Sequence, residues 1–346
     1  MARYDAKPSS KRSPANGLEF AAALIGDVCE VAGSASLIDD VRRELAAAGV
    51  IEAVGRRDDS VLFEWLLEVT SYQGISDRVA WDYMERHGNA SYNDVAAGVQ
   101  IVHQCSKLRS YWHFQRCGFR KSAQTCNEPD HFQACPLPRL PLRNGGLNQA
   151  AFDLFLFMRD IANGDFTNWV DTQLANVNKQ PSPVRPKLLV DALIGPMRNI
   201  HALADKVLNM SLSMLLLGAD PNRKRWTLAG ANMVAIDTLV HNWLFRTGIL
   251  YRLDADHQYG PRCYGDFGCG AVIRCVADRI DAKRFNPDFP AVFPRFVQHA
   301  IWRFCAQSGL DQCNANAVRD GTRCDQTDCA LFDLCDRIVV TKPAAG

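Results

Sequence analysis

Hydrophobic residues recur at spacings of three and four along most of the chain, which is the pattern of helices that bury one face. Three faces of this kind are Val41 with Leu45 and Ala48, Leu62 with Trp65, Leu66 and Val69, and Phe152 with Phe155 and Leu156. Residues 207–217 are apolar nearly all round, as expected of a buried helix. No segment shows the alternation of a strand. The pattern therefore predicts an all-α fold.

Proline and glycine interrupt the helical pattern at four places, which we interpret as loops or insertions. They are residues 136–146, 180–186, 220–224 and 260–270. Residues 1–16 are rich in Lys, Arg, Ser and Pro and lack apolar periodicity, so we expect a disordered basic tail there.

The length and composition suit ordinary globular structure. A chain of 346 residues with 47% hydrophobic residues can bury one large core or two moderate ones, and we expect two domains. The apolar runs are too short to span a bilayer, and the polar start lacks the apolar segment of a secretory signal. We expect a cytoplasmic monomer without a membrane partner, associated with the nucleoid if the source is bacterial.

A nucleic-acid partner would have to be bound by local patches, since the formal net charge is only +1. Residues 101–127 form one such patch, with no carboxylate and with aromatic residues between the cations Lys107, Arg109, Arg116, Arg120 and Lys121. Cations for phosphates and rings for bases would coexist there. The alternative is a solvated loop with a few aromatics turned inward.

Thirteen cysteines are many for a protein of a reducing compartment, where thiols hold metal more often than they form disulfides. Four of them close the chain at Cys313, Cys324, Cys329 and Cys335. Four thiolates from a short irregular loop suit a [4Fe-4S] cluster. A zinc site is the main rival, although the tail lacks a C-x2-C knuckle. Cys305 is an alternative to Cys313 as ligand.

Two further groups of cysteines give weaker signals. Cys105, Cys117, Cys126 and Cys135, near His103, His113 and His131, have the ligand types for zinc. Their wide spacings favour plain buried thiols over a second metal site. Cys263, Cys269 and Cys275 lie beside Tyr264 and Gly268, and for these we expect a role in packing only.

Four segments follow one another in an order that resembles the helix-hairpin-helix (HhH-GPD) DNA glycosylases of the endonuclease III type. They are LLEVTSYQGISDRVAWDYMERHG at 66–88, NGGLNQAAFDLFLFMRDIANGDF at 144–166, IHALADKVLNMSLSMLLLG at 200–218 and MVAIDTLVHNWLFRTGIL at 233–250. The resemblance covers the chain from about residue 62 to residue 335. It places Gln73 at the family's glutamine, which lies near the flipped-out nucleotide.

The third and fourth segments carry the residues that the resemblance implies are catalytic. Lys206 matches the family's lysine, and Asp237 matches its aspartate. The chain departs from the hairpin consensus, because Ala202 and Ala204 replace the glycines that approach a DNA phosphate, and His201 replaces the proline. Leu239 stands where histidine or asparagine is common. The C-terminal cysteines follow in family order with a stretched spacing.

The resemblance also implies an architecture of two helical lobes with a DNA cleft between them. One lobe is a six-helix hairpin domain, and the other is built from N- and C-terminal helices and carries the iron–sulfur loop. The implied boundaries are 17–60 for the N-terminal helices, 61–225 for the hairpin domain with a Cys-rich insertion at 99–142, and 226–346 for the C-terminal lobe with its cluster loop at 305–335.

The function implied by the resemblance is excision of a damaged or modified base from double-stranded DNA after base flipping. Asp237 would stabilise positive charge on the sugar, and Lys206 would form a Schiff base at C1′ that permits strand cleavage by β-elimination. Oxidised bases are the expected substrates, with hypermodified cytosine of phage DNA as an alternative, so the role is DNA repair or anti-phage defence. The rival hypotheses are a non-enzymatic iron–sulfur DNA-binding protein with a degenerate hairpin, and a metal protein of unrelated helical fold that binds RNA or transfers electrons.

Overall fold

The structure is a computed structural model that describes residues 14–72, 75, 77–101, 105–177, 184–315 and 317–340. Over these residues the chain forms helices and turns but no β-strand, and Arg120 and Thr125 form an isolated β-bridge. The all-α prediction is confirmed. The helices are α1 (Pro14–Ala32), α2 (Leu37–Ala47), α3 (Val50–Arg56), α4 (Asp59–Ser71), α5 (Asp77–His87), α6 (Tyr92–Ile101), α7 (Tyr111–Phe114), α8 (Gly145–Asp160), α9 (Phe166–Asn176), α10 (Arg185–Met197), α11 (Asp205–Gly218), α12 (Lys224–Asn232), α13 (Thr238–Arg246), α14 (Ile249–Arg252), α15 (Cys269–Ala277) and α16 (Pro294–Cys305).

Five short 3-10 helices lie between the α-helices of the described residues, and two of them, Leu137–Arg139 and Pro261–Tyr264, fall in segments that the sequence predicts to be loops. The five are Ser106–Arg109, Pro129–Ala134, Leu137–Arg139, Pro261–Tyr264 and Ala282–Arg284. In the part of the chain described here, no single helix is long and apolar enough to cross a membrane. The helices Asn16–Ala32 and Leu37–Ala47 meet that test of length and composition only when they are taken together as a bent pair.

The chain divides into two compact units. The terminal unit comprises the chain up to Ala35 together with the chain from Val234 onward, and the central unit comprises Ser36–Met233. The divisions therefore fall at 35/36 and 233/234, whereas the sequence analysis placed them at 60/61 and 225/226. The predicted basic tail at 1–16 overlaps α1, which begins at Pro14, and the residues before it lie outside the described range.

The core of the central unit is built around α11, which packs against α2, α4, α10 and α12. Residues of α11 are buried on nearly every side, as the apolar run at 207–217 predicts. The close approach of two helices is visible at Gly218, where an added Cβ would lie 2.8 Å from Leu45 Cδ1 on α2. Ser213 Oγ donates to the carbonyl oxygen of Gly230 at 3.0 Å, which fixes α12 against α11.

The core of the terminal unit is built around α16, which packs against α1, α13 and α15. Arg303 on α16 donates to the carbonyl oxygen of Ala32 at 3.0 Å, at the end of α1. The C-terminal segment is fixed to the end of α13, because Ile338 N–H donates to the Arg246 carbonyl at 2.8 Å. Gly248 has a φ of +84°, and a Cβ there would lie 2.1 Å from Asp336 Oδ2, so this turn requires glycine.

Candidate metal centre and predicted site residues

Two histidines and two cysteines of the terminal unit form a buried cluster that can hold a metal ion. His241 lies on α13, His257 follows α14, Cys263 lies in the 3-10 helix Pro261–Tyr264, and Cys269 is the first residue of α15. All four are buried, and their ligand atoms lie within 4.8 Å of one another. Imidazole and thiolate are the ligands that zinc sites use most often.

The separations between these ligand atoms fit a tetrahedral ion. His241 Nδ1 lies 3.3 Å from Cys269 Sγ and 3.6 Å from Cys263 Sγ, and His257 Nε2 lies 3.5 Å from Cys269 Sγ. Zinc–nitrogen bonds of about 2.0–2.1 Å and zinc–sulfur bonds of about 2.3 Å at tetrahedral angles give nitrogen–sulfur separations of about 3.5 Å. These three separations therefore agree with a tetrahedral site, and the four side chains together could hold one ion.

The surrounding hydrogen bonds prepare the ligands for this role. His257 Nδ1–H donates to the carbonyl oxygen of Ala255 at 2.7 Å, which leaves Nε2 as the nitrogen that faces the cysteines. A hydrogen bond from Cys269 lowers the pKa of Cys263 to about 4, against the effect of burial, and His241 adds to this. One cysteine of the pair is thus held as a thiolate, the form that binds metal.

The turn that joins the two cysteines requires glycine at position 268. A Cβ on Gly268 would lie 2.1 Å from the carbonyl oxygen of Arg262 and 2.6 Å from the carbonyl carbon of Cys263. Both atoms belong to the backbone, so no side-chain movement relieves the clash. Gly268 therefore lets the chain return to Cys263 closely enough for Cys269 to join the cluster.

The predicted aspartate Asp237 lies one helical turn before His241. It is the N-cap of α13, where its side chain accepts the Val240 N–H at 2.9 Å. Asp237 is half-buried. Burial lowers the pKa of Arg295 to about 10, while Tyr264 and Asp237 act in the opposite direction. The guanidinium therefore remains positive at neutral pH and is a cationic neighbour of the Asp237 carboxylate.

Tyr259 connects the surroundings of Asp237 with those of the metal cluster. Its ring centroid lies 5.7 Å from that of His241. Burial raises the pKa of Tyr259, and Asp237, Cys263 and Cys269 raise it further. Asp237 and the His/Cys cluster thus share one electrostatic environment within the terminal unit.

The predicted lysine belongs to the central unit. Lys206 is half-buried in the first turn of α11, and the turn that precedes this helix contains Ala202 and Ala204. Both alanines are exposed, and Ala202 has a φ of +58°, in the left-handed region that favours glycine. Ala204 is the N-cap of α11 with extended backbone. Lys206 and Asp237 belong to different units.

A buried carboxylate holds the turn before Lys206. Asp153 on α8 is fully buried, and its Oδ2 accepts the backbone N–H of His201 at 2.8 Å and the His201 ring Nδ1–H at 2.7 Å. Its Oδ1 accepts Gln115 Nε2–H at 2.9 Å. His201 stands at the proline position of the resembled hairpin. In this chain the histidine connects the turn before α11 to the buried Asp153 of α8.

The four C-terminal cysteines lie in one region of the terminal unit. Burial raises the pKa of Cys335 to about 11, and the neighbouring thiols of Cys313, Cys324 and Cys329 contribute to this. Backbone N–H groups two residues further on donate to sulfur at two of these positions, from Leu331 to Cys329 and from Arg337 to Cys335. Hydrogen bonds of this kind stabilise ligating thiolates.

Arg246 and Cys305 both form hydrogen bonds with Cys313, the first cysteine of this group. Arg246 is 2% exposed, and its guanidinium donates to Cys313 Sγ at 3.2 Å and to Asp320 Oδ1 at 2.7 Å. A hydrogen bond from Cys305 lowers the pKa of Cys313 to about 7, with Arg246 assisting against burial. Cys313 is among the thiols that raise the pKa of Cys329 and Cys335, whereas Cys305 contributes to neither.

Other predicted positions have mixed outcomes. Gln73 and His103 lie outside the described residues. In the basic and aromatic patch, Trp112 is 61% exposed, while Lys107 is paired with Glu128 at 3.2 Å. The expectation that Cys263 and Cys269 serve packing alone misses the His/Cys cluster. Its only sequence signal is two cysteines in a Gly-rich loop downstream of two histidines.

Comparison with known proteins adds no name to this geometry. The chain matches no family model, no curated protein and no solved structure.

Proposed function

We propose that this chain is a DNA glycosylase that removes a damaged or modified base, with Lys206 and Asp237 as its catalytic residues. The observation that carries the proposal is the turn between α10 and α11. Ala202 adopts the left-handed conformation at the position where the resembled hairpin has a glycine, and Lys206 follows in the first turn of the next helix. Such a turn presents backbone amides and the positive end of a helix to a phosphate.

The chemistry divides between the two residues. Cleavage of the glycosidic bond develops positive charge on the sugar, and the Asp237 carboxylate stabilises that charge. The Lys206 amine in its neutral form attacks C1′, the bond from C1′ to the base breaks, and the base leaves and is protonated. Loss of a proton from the nitrogen and opening of the sugar give an imine, which permits β-elimination of the 3′ phosphate. Lys206 is half-buried in the first turn of α11.

The metal assignments form part of the same proposal. The His241, His257, Cys263 and Cys269 cluster binds zinc, since two imidazoles and two thiols at tetrahedral separations suit that ion. Zinc with four protein ligands has a structural role, because no position is open for water or substrate. The C-terminal thiols Cys313, Cys324, Cys329 and Cys335 bind a [4Fe-4S] cluster, and the support is the set of neighbouring thiols with N–H donors.

The first experiment is borohydride trapping on damaged DNA and on modified phage DNA. Borohydride reduces an imine to a stable amine, so a lysine Schiff base becomes a covalent protein–DNA adduct. We expect an adduct with the wild-type protein and none with Lys206→Ala. The matched control is Lys224→Ala, which removes an exposed lysine from the first turn of α12 in the same unit and leaves the adduct unchanged.

The second experiment tests Asp237 by its charge alone. Asparagine is as good an N-cap as aspartate, so Asp237→Asn keeps the start of α13 while it removes the carboxylate. We expect base release to fall by about 100-fold or more, given the usual size of electrostatic contributions to catalysis. DNA binding without adduct or base release on either kind of DNA would refute the enzyme and leave the non-enzymatic DNA-binding protein.

A further inference from the structure

The irregular segment between α6 and α8 encloses a cavity lined by four cysteines. They are Cys105, Cys117, Cys126 and Cys135. The empty space of the cavity, including its mouth, is about 380 Å³. We infer that these four cysteines bind a second iron–sulfur cluster of the [4Fe-4S] type, within the central unit. This inference is independent of the glycosylase proposal.

Each cysteine is held by a tight turn, so the backbone around the cavity is already defined. Cys105 is the N-cap of the 3-10 helix Ser106–Arg109, and Cys135 is the C-cap of Pro129–Ala134. Cys117 N–H donates to the carbonyl oxygen of Phe114 at 2.8 Å, at the end of α7. Three turns between residues 105 and 135 thus place Cys105, Cys117 and Cys135 at the wall of one cavity, which Cys126 also lines.

Three of the four sulfurs receive a backbone hydrogen bond from the residue two positions further on. The donors are Phe119 for Cys117, Glu128 for Cys126 at 3.3 Å, and Leu137 for Cys135. The C-terminal cysteines Cys329 and Cys335 have the same arrangement. A hydrogen bond to sulfur favours the thiolate, which is the form that binds iron.

The spacing of the thiols favours a cluster over a single ion. The sulfurs of a tetrahedral zinc site lie about 3.8 Å apart, since each is about 2.3 Å from the same ion. Among the residues that the structure describes, only the ligand atoms of the His241 cluster gather within 4.8 Å as a group of three or more. In a cube each thiolate binds a different iron, so the sulfurs lie further apart than they do around a single ion.

The lining of the cavity also suits an anionic cluster. Apolar side chains cover much of the wall, among them Phe114 and Phe119, and Lys107 and Glu128 line it as an ion pair at 3.2 Å. Four thiolates in such a place repel one another unless a cationic core of iron lies between them.

A cluster here also explains how the segment keeps its shape. From residue 105 to residue 144 the chain contains only short 3-10 helices, the four-residue α7 and one isolated bridge. Loops of this length without regular structure are uncommon in compact domains. The cross-link provided by four cysteine ligands would replace the missing backbone hydrogen-bond ladders.

The test is metal analysis of the full chain purified without oxygen from iron-replete cells. With both clusters in place, we expect about eight irons and eight sulfides per chain. The double variant Cys117→Ser/Cys126→Ser retains about half of the iron, and Cys324→Ser/Cys329→Ser loses the other half. The exposed Cys275→Ser is the matched control and retains all of it. If the wild type holds only about four irons, the double variant that loses them identifies the occupied site.

Iron content that is unchanged in Cys117→Ser/Cys126→Ser would overturn the inference, and so would loss of zinc in place of iron. If a variant fails to fold, alkylation of the cysteines in the wild-type protein provides the test instead. Mass spectrometry then compares labelling before and after oxidative removal of iron with a chelator. We expect Cys105, Cys117 and Cys126 to be protected only before removal, and Cys275 to be labelled in both samples. Equal labelling of Cys117 and Cys126 in both samples would refute the cluster.

Discussion

The buried carboxylate of Asp153 offers a graded test of how the turn before Lys206 is held. Asp153 accepts three hydrogen bonds, two of them from His201. An asparagine can keep these bonds if Gln115 turns its amide, but it accepts them as a neutral group. A bond to a charged group contributes about 1.5–3 kcal/mol and a neutral one about 0.5–1.5 kcal/mol. Because two bonds share one oxygen, we expect Asp153→Asn to lower the free energy of unfolding by about 2–3 kcal/mol.

Asp153→Ala removes all three bonds and leaves the donors of His201 and Gln115 without their acceptor. Breaking a buried charged contact typically costs about 3–5 kcal/mol, so we expect a loss near the upper end, about 4–5 kcal/mol. Urea unfolding of the full chain measures both variants, and hydrogen exchange over residues 198–206 reports the turn itself. The control is Asp191→Asn on α10, half-buried in the same unit, with a change within about 0.5 kcal/mol.

The order of the two variants decides the result. If both Asp153 variants unfold within 0.5 kcal/mol of the wild type, the carboxylate does not hold the turn and the reasoning fails. An Asn variant as damaged as the Ala variant would mean that the negative charge, and not the hydrogen-bond geometry, carries the effect.

Three further predictions follow from backbone geometry and from one half-buried carboxyl. Metal analysis should show that Gly268→Ala abolishes zinc binding in the terminal unit. The control Gly265→Ala, whose Cβ meets only the Arg262 carbonyl oxygen at 3.4 Å, should retain the zinc. Equal zinc content in the two variants would contradict the steric explanation. Ala202→Gly should raise the free energy of unfolding by about 0.5–1 kcal/mol, because glycine adopts the left-handed φ of +58° without strain. The control Ala46→Gly in α2 should lower the free energy of unfolding by about 0.5 kcal/mol. A lower free energy of unfolding in both variants would show that Ala202 is not strained. Burial raises the pKa of Asp59 from 3.8 to about 6, so the wild type loses stability as pH rises from about 4 to about 6. In urea unfolding at pH 8, Asp59→Asn should therefore be more stable than the wild type. That advantage should shrink towards zero at pH 4, and an advantage independent of pH would exclude the carboxyl as its source.

The helices could be predicted because their information is local. The buried face at Leu62, Trp65 and Leu66 and the apolar run of α11 are properties of spacing, and both lie where the pattern places them. The His/Cys cluster could not be predicted in this way. His241 and Cys269 meet only because α13 and the glycine turn at Gly268 bring distant segments together, and the spacing of the four ligands contains no knuckle.

The four cysteines of the central cavity illustrate the same limit. Wide spacings favoured plain buried thiols, yet Cys135 alone of the four is buried, and the other three are half-exposed around one cavity. Their convergence depends on 3-10 turns, which have no apolar periodicity to reveal them. Hydrogen bonds from residue i+2 to sulfur are equally invisible in a sequence. Both features can be recognised only in the three-dimensional structure.

The order of the units along the chain has a consequence for biosynthesis. α1 is complete at Ala32, but α16, against which it packs, begins only at Pro294. At about 5–20 residues per second, a ribosome needs roughly 15–50 s to supply that partner. During that time the whole central unit emerges and can fold, while the apolar side chains of α1, such as Leu24 and Ile25, have no core to enter. The nascent chain therefore exposes the apolar face of α1 until the helices that cover it, α14, α15 and α16, have been made.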